Sequence, residues 1–263
     1  MKSPLSSRIW PPLLAGLVLL GAWYGAIALY HIPSYIFPAP HLILAATWRE
    51  RRTLAQAALF TFEGAILGFL AAAVLGFIFS AVLGFALSLR RALVPYILLF
   101  QMTPVVILAP IYVLWLGQGL PAIIAISYTI CFFPIVANTT LGFTSVDRNL
   151  VDLFAICRSS RLSEVFRLRF PAALPFFLTG LKIAATLACI GAITGDFLAG
   201  SAQNSVGGLG FMTVTYFSQL RIPELFGVAL TACAMGFVFV GGVNLLSWCV
   251  LHQWHESALK LEK

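Results

Sequence analysis

Eight polar side chains stand inside or beside long apolar runs: Glu63, Gln101, Thr103, Tyr128, Asn138, Lys182, Thr194 and Asp196. Polar groups at membrane depth face a cavity or a partner, so these positions bound the chemistry open to the chain. Gln101 and Thr103 stand just before Pro104 in "QMTP". Proline removes a backbone hydrogen bond, and irregular backbone inside a membrane occurs only against protein or a watery cavity. Gln101, Thr103 and Tyr128 therefore form the strongest candidate path for a polar solute, with Asn138 and Thr194 as further candidates. The competing reading at each is a hydrogen bond to a helix backbone or a neighbouring helix. Lys182 and Asp196 lie fourteen positions apart, about 21 Å along a helix, and cannot pair. Lys182 can snorkel to the surface. Asp196 reads equally as wet or buried, and Glu63 as a partner for Arg51 or Arg52.

Covalent chemistry finds no support. The histidines His31, His41, His252 and His255 sit at the ends of apolar runs, without H-E-x-x-H, G-x-S-x-G or a G-x-x-x-x-G-K-[ST] phosphate loop. The five cysteines are scattered singly, without CxxC or a Cys/His cluster. No metal, no cofactor and no enzymatic activity is expected, and ATP should not bind this chain.

Composition sets the elements that must position these residues. The chain has 263 residues, 60% hydrophobic and 10% charged, whereas soluble domains are about a quarter charged. Its net charge of +7 lies between apolar runs rather than on a surface with stacking aromatics, so no nucleic acid is expected. The fold class is an all-α polytopic membrane protein, one domain over residues 1–263. Spans are expected at about 9–30, 55–89, 93–116, 122–143, 172–198 and 224–251, six helices in all. The first resembles a signal peptide but is too long for one, so an uncleaved helix is expected. In the second, Gly64, Gly68, Ala72, Gly76, Ser80 and Gly84 recur every four residues, a face that admits a second helix closely and marks this span as central. Arg90 and Arg91 should close it, and Pro104 and Pro110 should kink or unwind the third. "WHES" in the tail reads as an interfacial anchor with Trp254.

With the N-terminus inside, eleven Lys and Arg fall on the inner side and four on the outer: Arg49, Arg51, Arg52 and Arg221. Both termini are thus expected in the cytoplasm. The longest inner segment, about 145–170, then carries the charged run "VDLFAICRSSRLSEVFRLRF". Asp147 can cap a helix. "LVDLFAIC" reads as a short helix with Leu150, Leu153, Phe154 and Cys157 near one face. "RSSR" breaks it, "LSEVFRL" forms a second short helix, and Pro171 suits the first turn of the fifth span. The apolar face requires the bilayer surface or a soluble partner.

This segment resembles the cytoplasmic loop of the permease subunit of binding-protein-dependent ATP-binding-cassette importers, E-A-A, three residues, G, nine residues, I-x-L-P. Asp152, Leu153 and Phe154 stand at E-A-A, Arg158 at the glycine, and Leu168, Phe170 and Pro171 at I-x-L-P. "PSYIFPAPHLIL", "TPVVILAPIYVLWLGQG", "FFPIVANTTLGFTSVDRNLVDL" and "PAALPFFLTGLKIAATLACIGAITGDFLAG" are similar to the branch importing nitrate, taurine, sulfonates and thiamine-related pyrimidines, over about residues 33–256. The resemblance implies a type I importer permease arrangement with short coupling helices. It implies a homodimer in the bacterial cytoplasmic (inner) membrane, two copies of a separate ATPase docked on the loop, and an extracytoplasmic solute-binding protein. The Gly-rich segment 199–222 would form the outer gate and docking surface. At Arg158, where positive φ favours glycine, either the turn uses ordinary dihedrals or the arginine reaches an acid on the ATPase. Asp152, one methylene shorter than glutamate, can still pair with a basic group there. The rival function is an ion-gradient-driven secondary transporter, which should show internal repeats and paired buried acids; neither is visible. A membrane-embedded enzyme would need a nucleophile with a base or metal ligands at fixed spacing, and both are missing.

Overall fold

A computed structural model describes residues 5–201 and 207–251. Lys2, Lys260 and Lys263, His252, the "WHES" anchor with Trp254 and His255, and residues 202–206 of the Gly-rich segment lie outside it.

The described residues are helical: α1 (Leu5–Tyr30), α2 (Pro40–Arg49), α3 (Arg51–Phe85), α4 (Leu87–Gln101), α5 (Val105–Leu116), α6 (Leu120–Thr144), α7 (Arg148–Ile156), α8 (Arg161–Glu164), α9 (Phe170–Ala199), α10 (Leu209–Ser218) and α11 (Ile222–Leu251). Five are long and apolar enough to span a bilayer, and α4 with α5 makes a sixth, broken span bent by 96°. The break falls at Met102–Pro104, where Pro104 caps α5 with extended backbone. This is the kink expected from "QMTP". One boundary differs. The second span ends at Phe85, and Arg90 and Arg91 belong to α4 rather than closing α3. Ala86 leaves the helical region there, at φ −107 and ψ 89.

The small-residue ladder of α3 packs on α6. A methyl at Gly64 would lie 2.6 Å from Ile123, at Gly68 2.7 Å from Ser127, at Gly76 3.0 Å from Ile135 and at Gly84 2.6 Å from Phe143. Each pair is 59 positions apart in sequence, so α3 and α6 run parallel in constant register. The fully buried Ser80 donates to the carbonyls of Gly76 at 2.7 Å and Val136 at 3.2 Å. The other side of α6 receives α9. A Cβ at Gly191 would lie 3.0 Å from Ser127 Cα, at Gly195 3.2 Å from Ile123 Cα, and at Gly180 3.2 Å from Ile135 Cα. The paired positions run in opposite directions, so α9 is antiparallel to α6. The centre of the fold is therefore α6, clamped between α3 and α9. Without water inside a bilayer, such contact rests on close packing rather than on the hydrophobic effect. By contrast, α1 is exposed over most of its length and touches the rest near one end, where Trp23 stacks on Phe37 at 4.9 Å.

Candidate functional site

Segment 145–170 is built from local signals. Asp147 caps α7 by accepting from Asn149 N–H at 2.9 Å, as its sequence position requires. At the other end Ser159 N–H bonds Phe154 O and Arg158 N–H bonds Ala155 O, both at 3.0 Å. This pair of bonds is a Schellman turn, whose penultimate donor sits in the left-handed region normally given to glycine. Arg158 occupies that position at φ 49. Ordinary dihedrals are therefore not used, and arginine accepts the conformation at about 1–2 kcal/mol relative to right-handed backbone. Asp152 and Arg158 are both exposed. Leu150, Leu153 and Ile156 form an exposed apolar stripe at three-residue spacing, Ile156 at 79% exposure. The sequence reading omitted Ile156, although the i, i+3 spacing was available.

The second short helix is not separate. From Arg161 it passes through a π-helical turn, Val165–Arg169, directly into α9. Pro171 explains the widening: its ring would crowd the carbonyl four residues back, and it has no N–H to offer it. Phe170 centres a ring cluster, 5.4 Å from Phe143, 5.6 Å from Phe77 and 5.3 Å from Phe166. Arg169 pairs with Glu164 at 2.6 Å and donates to Phe143 O, the carbonyl near the end of α6, at 3.4 Å. Leu168 and Pro171 are half-buried in the same turn. A cleft of about 320 Å³ lies between this turn, Val151 and Phe85.

The polar path candidates separate. Thr103 and Tyr128 line one cavity of about 400 Å³ where the broken span meets α6. Its rings are Phe100, Tyr112, Trp115, Tyr128, Phe132 and Phe133, and no charged side chain lines it. Thr129 Oγ1 donates to Ala125 O at 2.8 Å, so the Tyr112 hydroxyl, 2.7 Å away, donates to Thr129. Gln101 and Thr103 line an adjoining cavity of about 220 Å³ that shares Phe100, Thr129 and Phe133. The broken helix thus brings Gln101, Thr103 and Tyr128 to one region. Asn138 lines neither cavity; it donates to Pro134 O at 2.8 Å. Thr194 is half-buried and lines neither.

Asp196 proves fully buried rather than wet. Its carboxylate accepts from Phe211 N–H at 3.0 Å. Glu63 is exposed and makes no ion pair with Arg51 or Arg52 among the described residues. The acid that matters there is Glu50, 2.7 Å from Arg221, which also reaches Glu224 at 3.1 Å and covers the Tyr216 ring at 4.7 Å. Arg51 stacks on Trp48 at 4.9 Å. The hydrogen bond from Arg221 holds the Glu50 carboxyl below its ordinary value and lifts Arg221 in return. Burial pushes the Tyr216 hydroxyl up. This cluster ties the α2–α3 junction to the α10–α11 junction. No group of three metal-ligating side chains exists among the described residues.

The ordered helices, the broken span and the exposed segment between the fourth and fifth spans define a permease. Residues 73–250 match the family described as the binding-protein-dependent transport system inner membrane component, and the chain belongs to that family. It is 34% identical to the riboflavin transport system permease protein RibX of Chloroflexus aurantiacus, over 86% of this chain and 84% of that one. It is 32% identical to the formylaminopyrimidine transport permease protein ThiX of Halalkalibacterium halodurans, over 94% and 96%. It is 31% identical to a probable ABC transporter permease protein of Haemophilus influenzae, over 91% and 96%. Its fold is similar to a solved chain of the inward-facing MetNI methionine ABC transporter, with TM-score 0.53 and 18% identity, covering 74% of this chain and 98% of that one. The protein is thus a permease component of an ABC importer for a small solute, in the type I arrangement. The secondary-transporter reading is set aside.

Proposed function

We propose that two copies of this chain pair about a two-fold axis to enclose the path, since one copy leaves its aromatic cavity open along one side. Each copy takes one ATPase subunit on segment 145–170, so hydrolysis belongs to that partner, and a binding protein delivers solute from the opposite side with both termini in the cytoplasm. The carrying observation is the exposed apolar stripe Leu150, Leu153, Ile156, on a segment that runs through the π-helical turn into α9. Apolar side chains at i, i+3 on a short exposed helix suit a hydrophobic groove. Leu153 and Phe154 supply contact, Asp152 and Arg158 supply charge, and Leu168, Phe170 and Pro171 transmit the motion. An Ile156→Asp substitution is expected to release the ATPase from the purified complex on size-exclusion chromatography; co-elution in full yield counts against the docking role. Transport that survives Arg158→Glu unchanged counts against a pairing of Arg158 with an ATPase acid.

The solute best suited to the path is a planar, uncharged heterocycle of the pyrimidine or flavin kind. Six rings and the hydroxyls of Thr103, Tyr112, Tyr128 and Thr129 line the larger cavity without a cation to hold an anion, and rings stack on planar groups. The relatives at 32% and 34% identity are named for a formylaminopyrimidine and for riboflavin. Titration of the partner binding protein with a pyrimidine, riboflavin, nitrate and an alkanesulfonate is expected to show saturation with a heterocycle. Saturation by an anion alone excludes this assignment.

A further inference from the structure

The proposed function leaves unused the buried cluster at the α10 end of α9. Asp196 has no exposed surface and stands one turn before the end of the helix. Its Oδ2 accepts from Phe211 N–H at 3.0 Å, while Oδ1, also buried, has no hydrogen-bond partner among the described residues. Leu209 N–H donates to Thr61 Oγ1 at 2.8 Å, and Thr61 in turn donates to Ala57 O at 3.1 Å. These are the first-turn donors of α10, groups that a helix cannot satisfy internally. Gly208, the residue before α10, supplies no side-chain cap. Two of those donors, Leu209 N–H and Phe211 N–H, are therefore held by side chains of α3 and α9. Gly208 leaves the needed space, since a Cβ there would collide with both Asp196 and Thr61.

At its other end the same unbroken helix begins at Phe170, inside the ring cluster that joins segment 145–170 to the bundle. Thirty residues of helix place the two ends about 45 Å apart. Charge-assisted hydrogen bonds to a carboxylate are short, directional and about twice as strong as neutral ones. A displacement of α9 along its axis would carry the Asp196 carboxylate with it and pull the N-terminus of α10.

We infer that Asp196, supported by Thr61, is a positioning residue for transport that makes α10 follow α9, so that motion at segment 145–170 reaches the opposite side of the membrane. The inference rests on the proposed docking of an ATPase on that segment. It assigns a role to side chains that touch neither the path cavity nor the docking stripe.

The test uses the complete importer in liposomes, with its ATPase and binding protein, after the exposed Cys157, Cys233 and Cys249 are replaced by serine. One spin-label pair, Ser218→Cys with Leu59→Cys, reports α10 against α3. A second, Ala155→Cys with Leu89→Cys, reports the docking segment from an exposed position outside the apolar stripe. Trapping with a non-hydrolysable ATP analogue is expected to change both distances. With Asp196→Asn the docking pair still moves and the α10 pair does not. Solute moved per ATP hydrolysed falls about tenfold, the equivalent of one charge-assisted hydrogen bond. Thr61→Val gives the same pattern at about threefold, through one neutral bond. A shape-conserving Thr61→Val keeps the test decisive if Asp196→Asn fails to assemble. A normal α10 displacement in the variants overturns the inference alone, and so does a parallel fall of transport and hydrolysis. A docking pair that never moves in the unsubstituted complex overturns the docking proposal as well.

Discussion

At the α7 end of α9, Phe170 sits among Phe77, Phe143 and Phe166 at ring distances of 5.3–5.6 Å. At the α10 end, Asp196 and Thr61 hold two backbone donors of a second helix. Ring clusters attract over many orientations, and they suit the end proposed to follow a docked ATPase. Hydrogen bonds from buried N–H groups to a carboxylate tolerate little misalignment, and they suit an end that must carry its partner along. The same helix thus ends in a compliant joint on one side and a stiff one on the other.

The sharpest break of this contrast is Asp196→Ala. It strips the acceptor from Phe211 N–H, an orphan costing about 1–3 kcal/mol, and empties a buried site. A marked drop in the thermal midpoint of the detergent-purified protein is expected, and hydrogen exchange should rise first at Gly208–Phe211. An unchanged midpoint removes the stiff joint from the comparison. Phe170→Ala comes next. Its ring is half-buried, so about 2 kcal/mol is expected, below the 3–5 of a fully buried ring. The loss should be spread over Phe77, Phe143 and Phe166 rather than focused on one bond, and Phe170→Leu should recover most of it. Failure of leucine to recover stability would show that ring geometry, not apolar volume, sets the joint.

Arg158→Gly acts in the opposite direction. Glycine meets no steric penalty at φ 49, so α7 should gain about 1 kcal/mol, read as slower exchange at Ser159 and Arg158. Weaker transport in that stabilised variant would assign the arginine side chain a contact on the partner. The smallest effect concerns the Glu50–Arg221 pair. It is partly exposed, at 23% and 36%, and contributes on the order of 1 kcal/mol or less after screening. The Glu50 carboxyl titrates below its ordinary 4.5, so the contribution is fully present above that pH. It is lost as pH falls through the lowered folded value. Exchange at the α10–α11 corner should rise in that acid window, and Glu50→Gln should abolish the dependence.

Much of this was legible in the sequence, where the signal was local or periodic. The four-residue ladder from Gly64 to Gly84 located the contact face of α3, though not its partner α6, because a helix brings every fourth residue to one face. Pro104 located the broken span and Asp147 the start of α7, each through a backbone bond that only its own neighbours can make or forbid. The spacing from Asp152 to Pro171 carried the resemblance that marked segment 145–170 as the proposed docking segment. What the sequence left open depended on partners distant in the chain. Asp196 read equally as wet or buried, because Thr61 and Gly208 become its neighbours only when α3, α9 and α10 pack. Glu63 looked like a partner for Arg51, yet Glu50 meets Arg221 from 171 positions away.

Composition and spacing by themselves determined a helical membrane protein of about six spans with a charged segment between the fourth and fifth, because hydropathy, proline and small-residue spacing act within one helix. Only the tertiary structure decided that α6 rather than α3 is the centre. It also decided that Arg158 takes the glycine conformation and that α9 ends in a buried carboxylate capping another helix. Those outcomes follow from which faces meet in three dimensions; a periodic ladder marks a contact face along the chain, not the distant segment that meets it.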